Sequence, residues 1–219
     1  MAWINSVWYM LPLSSNWMVW NLFLALIPLV LSALLFRAAS TRSAIWWTAL
    51  FAFVAFLPNA PYVLTDLIHL VSEIQSNDSL LFNTLVLLPK YALFVLIGFE
   101  AYVLALINLG YYLNQQGLER FVLQIELMLH GLSAIGVYLG RIERFNSWDL
   151  MTNPRQVIHS VAASFMDQRP LLFMVIGFAA IAGLYWILKQ ISLAIMLKQQ
   201  YARVLHQLSV NPNSSNAEL

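Results

Sequence analysis

A chain of 219 residues that is 61% hydrophobic and only 10% charged falls well short of a soluble domain, in which about a quarter of residues carry charge. The absence of cysteine excludes disulfides, thiolate nucleophiles and thiolate-held metal or iron–sulfur centres. A net charge of +1 with no basic stripe among aromatics gives no attraction to nucleic acid. The chain reads as an all-α, polytopic membrane helix bundle, because a helix needs about 20 apolar residues to cross the hydrocarbon core and several runs approach that length.

Trp3, Trp8, Tyr9, Trp17 and Trp20 precede or open the first run, as amphipathic rings do at the headgroup level. The first 36 residues hold no Lys or Arg, so a cleavable signal would lack its positive end and the run is expected to be retained. The first span is placed at Trp17 to Phe36, with Asn21 and Pro28 inside, ending at Arg37 and Arg42. The second starts near Ala44 and stops at Pro58 and Pro61, which cannot continue a regular helix. After the prolines, Asp66, His69 and Glu73 share one helical face, with Leu67, Leu70, Val71 and Ile74 on the other. That pattern predicts an interfacial helix.

The third span, about Leu85 to Gly110, contains Lys90 and Glu100; the fourth, about Phe121 to Gly140, contains Glu126 and His130. Their short connection predicts an antiparallel hairpin. Asn153 and Pro154 suit a helix start, and Val157, Ile158, Val161 and Phe165 form a stripe opposite Arg155, Gln156 and His159, which predicts a second interfacial helix. The fifth span covers about Leu171 to Leu188 and continues as an amphipathic segment towards Leu208. One integral membrane domain is expected over residues 1–208, followed by a disordered polar tail at 209–219. With the amino terminus outside, Arg37, Arg42, Arg120, Lys189, Lys198 and Arg203 lie inside, and Lys90, Arg141, Arg144, Arg155 and Arg169 outside. The first helix has no basic residue before it and two just after it, which favours this orientation.

Two polar segments interrupt the apolar chain: FLPNAPYVLTDLIHL (56 to 70) and GRIERFNSWD (140 to 149). Span counting puts both on one membrane face. A polar group beside hydrocarbon costs several kcal/mol unless it is partnered, so Asn59, Asp66, His69, Arg141, Arg144, Asn146 and Asp149 are the candidate ligand-binding set. The two arginines have the planar fork that binds phosphate or carboxylate; their alternative is to pair with Asp66, Glu73 or Asp149. Asp66, His69 and Glu73 have the spacing of metal ligands on one helical face, against the plainer reading of a solvated amphipathic side.

Inside the spans, Glu100, Glu126 and His130 form an intramembrane polar set. Reflecting the hairpin about Gln115 brings Glu100 opposite His130, which would serve a proton path or a structural hydrogen bond. Gly136 and Gly140 have the spacing that lets a neighbouring backbone approach closely. His69 and His130 lie at different depths and no attachment pattern accompanies them, which sets haem aside; no cofactor is assigned.

At WNLFLALIPLVLS (20 to 32), FLPNAPYVLTDLIHL and GVYLGRIERFNSWDL (136 to 150) the chain resembles the domain-of-unknown-function 1361 family of predicted bacterial membrane proteins. The resemblance implies a multi-pass protein of a bacterial plasma membrane. It also implies that Asn21, Asn59, Pro61, Tyr62, Asp66, His69, Gly140, Arg141, Asn146, Ser147, Trp148 and Asp149 belong to the family pattern. It implies no reaction, cofactor or protein partner. The preferred expectation is a site at the extracytoplasmic face for a polar or anionic small molecule or a lipid headgroup, with an anionic lipid of the bilayer as a candidate partner. Arg141 and Arg144 would take the anion, Asp66 and His69 would serve as acid, base or metal ligands, and Asn59 and Asn146 would orient. The alternatives are a proton-coupled transporter using Glu100, Glu126 and His130, and a scaffold subunit of a membrane complex.

Overall fold

The computed structural model describes residues 16–39 and 41–210, with side chains up to residue 203. Trp3, Trp8, Tyr9 and the tail from residue 211 lie outside the described residues. The described chain is helical apart from short connections, with α1 Asn16–Ala33, α2 Ala44–Phe56, α3 Asn59–Tyr62, α4 Leu67–Gln75, α5 Leu80–Phe82, α6 Leu88–Gln115, α7 Val122–Arg141, α8 Asp149–Thr152, α9 Pro154–Met166 and α10 Gln168–Val210. Five helical runs are long and apolar enough to cross a bilayer: Asn16–Ala38, Ala44–Gln75, Leu80–Gln115, Glu119–Arg141 and Gln168–Arg203.

Helix α6 is the axis of the bundle. Tyr91, Phe99, Tyr102, Val103, Ala105 and Leu106 on it are fully buried, and it packs chiefly on α1, then on α10 and the α3 turn. Its end is set by Gly117, whose φ of +69° lets the Leu118 N–H reach back to Leu113 O at 2.9 Å, an end that glycine fits without strain. The predicted hairpin follows, but α7 then packs mainly on α10 rather than on α6. At this end of the bundle the Arg37 Nε donates to Asn108 Oδ1 at 2.9 Å, and its guanidinium lies 3.8 Å from the centre of the Tyr111 ring.

Helix α2 begins at a Ser43 cap, whose Oγ accepts the Trp46 N–H, and its 13 residues reach only about 20 Å. It stops at Phe56, as the prolines require. The chain nonetheless stays coiled through α3 and a tight 3₁₀ turn, Val63–Asp66, before α4. Three glycine notches receive this kinked stretch. A Cβ on Gly136 would stand 2.5 Å from Pro58 Cγ, one on Gly98 2.7 Å from Val63 Cγ1, and one on Gly140 3.2 Å from Tyr62 Cε2.

The polar side of α4 is only partly covered. Asp66, just before the helix, is 1% exposed and Glu73 is half-buried, whereas His69 is exposed, as are Leu67, Ile68 and Val71; a carboxylate beside hydrocarbon is costly unless partnered, and both carboxylates here find partners. Helix α9 starts at Pro154 as expected, but the Asn153 side chain forms no cap and instead donates to Thr152 Oγ1. The α7–α8 connection turns through Arg144, the one non-glycine residue at positive φ (+60°) among the described residues. There the Phe145 N–H closes on Leu139 O at 3.0 Å.

Candidate functional site

The two polar segments meet in space. From the first, Asp66 is held on both carboxylate oxygens: Oδ2 accepts Asn21 Nδ2 of α1 at 2.8 Å, and Oδ1 faces Arg141 Nη1 at 3.3 Å. Arg141 comes from the last turn of α7, where a guanidinium also suits the negative helix end. It reaches Thr65 O at 3.2 Å and the Tyr62 hydroxyl at 3.4 Å. A second bridge joins residues 88 apart in sequence, Asn59 Nδ2 donating to Ser147 Oγ at 2.9 Å and to Phe56 O at 2.9 Å. Of the two sequence readings for Arg141, pairing with Asp66 is the one the geometry realises.

The other predicted residues divide. His69 makes no side-chain hydrogen bond or ion pair among the described residues, and its ring lies 4.6 Å from that of Trp17. Glu73 accepts from the Tyr91 hydroxyl at 2.7 Å and pairs with Lys90 at 3.8 Å. Asp66, His69 and Glu73 thus turn to three different partners, and no cluster of three metal-ligating side chains occurs among the described residues. Asp149 closes its own turn, accepting the Asn146 N–H at 2.6 Å and the Thr152 hydroxyl. Arg144 and the Asn146 side chain make no hydrogen bond or ion pair among the described residues.

Arg144 and Asn146 border a cavity of about 860 Å³ between the α1–α2 pair and α7–α9. Its walls are apolar: Leu24, Phe51, Val54, Leu132, Ile135, Leu139, Val157, Ile158 and Val161. Polar groups come from Asn21, Asn59, Tyr62, Arg144, Asn146 and Ser147. Trp20, Phe51, Leu132, Trp148 and Ile158 line it and are 43–68% exposed, so apolar surface leads into it from outside. The volume lies in the range of small-molecule and cofactor sites.

The expected Glu100–His130 pair does not form. Both carboxylates on these helices turn to α10: Glu126 Oε1 accepts Tyr185 Oη and Lys189 Nζ, each at 2.6 Å, and Glu100 Oε1 accepts the Ser192 hydroxyl. His130 Nδ1 instead shares a 2.8 Å hydrogen bond with Tyr102 Oη, which also contacts Ser133. The physical reason is that α7 leaves α6 to pack on α10, so reflection about the hairpin misplaces its inner face. Tyr102, Tyr185 and Ser192 were absent from the sequence reading, and Lys189 entered it only as a basic residue at a span end; the i, i+4 spacing of Tyr185 and Lys189 was the available signal. No hydrogen bond among the described residues joins this network to Asp66 and Arg141.

Five apolar helical runs, in which Asn83 Oδ1 is the one buried side-chain polar atom left without a partner among the described residues, define a multi-pass integral membrane protein. The chain belongs to the family described as "Protein of unknown function (DUF1361)", which it matches over residues 20–182, a stretch containing both polar segments and the cavity. No curated protein and no solved structure matches the chain.

Proposed function

We propose that this membrane protein binds an amphiphile with an anionic headgroup, its apolar body between the α1–α2 pair and α7–α9 and its headgroup at Arg144. The carrying observation is a cavity with apolar walls whose single charged lining residue is Arg144, a guanidinium without a carboxylate partner among the described residues. Such a group binds a phosphate oxygen pair in a planar fork. The exposed apolar lining residues give an acyl chain a route from the bilayer that crosses no polar barrier. Asn59 and Asn146 orient the headgroup, while Asp66 and Arg141 hold the two segments in place. The distribution of Arg37, Arg42 and Arg120 at the opposite end supports an extracytoplasmic site.

The test is lipid retention. Wild-type protein and Arg144→Gln, purified in mild detergent, are extracted and their bound anionic lipid is quantified. The wild type is expected to retain it and the variant to lose about tenfold, the value of one charge-assisted contact. Ala162→Trp, which fills the cavity wall, should lose it as well. A wild type that retains no amphiphile and gains no thermal stability from any added lipid overturns the reading.

A further inference from the structure

Resting on that amphiphile reading, we infer that the headgroup is a phosphodiester with one negative charge and a hydroxyl-bearing substituent, such as a glycerol or a sugar. The charge follows from the lining. One guanidinium matches one negative charge, and a phosphomonoester approaching two charges at neutral pH would leave the excess beside apolar walls, where an uncompensated charge is costly.

The hydroxyls follow from the amides. Asn21 commits its amino group to Asp66, and Asn59 commits its own to Phe56 O and Ser147 Oγ. Both residues line the cavity, and neither amide oxygen, an acceptor, takes a hydrogen bond among the described residues. Phosphate oxygens at neutral pH are acceptors too and cannot satisfy them. A hydroxyl-bearing substituent supplies the missing hydrogens and in turn accepts from Asn146. An ammonium headgroup also brings hydrogens, but it would sit beside Arg144 with no carboxylate in the lining to offset the repulsion.

The experiment is a titration of delipidated full-length protein with dioctanoyl phosphatidylglycerol, phosphatidic acid, phosphatidylethanolamine and phosphatidylcholine, read by tryptophan fluorescence, since Trp20 and Trp148 line the cavity. Phosphatidylglycerol is expected to bind about tenfold more tightly than the other three, because a site built for hydroxyls rejects analogues lacking them. Asn146→Ala, which removes a side chain with no partner among the described residues, is expected to shrink that preference, and Arg144→Gln to weaken phosphatidylglycerol without restoring the others. Equal affinity for phosphatidylglycerol and phosphatidic acid, both lost in Arg144→Gln, overturns this inference and leaves the amphiphile reading intact. Binding of none of the four, or binding of water-soluble glycerophosphoglycerol as tightly as the lipid, overturns the amphiphile reading itself.

Discussion

Asp66 and Arg141 form an unequal pair, and the inequality sets what their removal does. The Asp66 side chain is 1% exposed and that of Arg141 23%, so an orphaned carboxylate has no route to water whereas an orphaned guanidinium has a partial one. Breaking a buried pair from one side costs about 3–5 kcal/mol. Arg141→Ala is therefore expected to lose more stability than Asp66→Ala, with the double variant less destabilised than the sum; thermal unfolding in detergent measures it, and additive losses of equal size would contradict the geometry. The sequence made these residues visible, because each is a polar group among apolar neighbours. It did not choose their partners. Helical spacing tells which side chains share a face, not what stands across from it, so His69 and Glu73 were grouped with Asp66 although Trp17 and Tyr91 draw them elsewhere. Lys189, read only as a basic residue at a span end, emerged as the counter-ion of Glu126.

At the level of helices, the joint between α2 and α4 depends on close approach. Gly131 and Gly136 lie on the same helix, α7, so alanine brings each the same gain in helix propensity, about 1 kcal/mol. A Cβ at Gly131 meets nothing within 4 Å, whereas at Gly136 it would strike Pro58 at 2.5 Å. Gly131→Ala is expected to raise the melting temperature and Gly136→Ala to lower it, by about 1–3 kcal/mol of overpacking; two shifts of the same sign would show that the kink is not seated there. Apolar run lengths, the proline pair and the glycine spacing made the spans and the joint legible beforehand. The neighbour relations were less so. A short connection favours adjacency, but α7 finds more to bury on α10, where Glu126 meets Lys189 and Tyr185, and that preference is set by side chains about 60 residues away in sequence.

For the molecule as a whole, orientation decides which compartment the cavity's polar rim faces. The chain has no cysteine, so single cysteines report without background. Asp78→Cys and Arg155→Cys, at exposed positions near the two polar segments, are expected to react in intact cells with a membrane-impermeant maleimide; Thr41→Cys and Glu119→Cys, exposed at the other end, are expected to react only after permeabilisation. The reverse pattern would place the cavity on the cytoplasmic side. The turn at Arg144 carries a last consequence. Its φ of +60° is one that glycine adopts freely and an arginine only at about 1 kcal/mol. A population of variants sorted for folding alone should drift towards glycine at this position, and one sorted for ligand retention should hold the arginine. Comparing the two enrichments would separate what this loop does for the fold from what it does for the ligand.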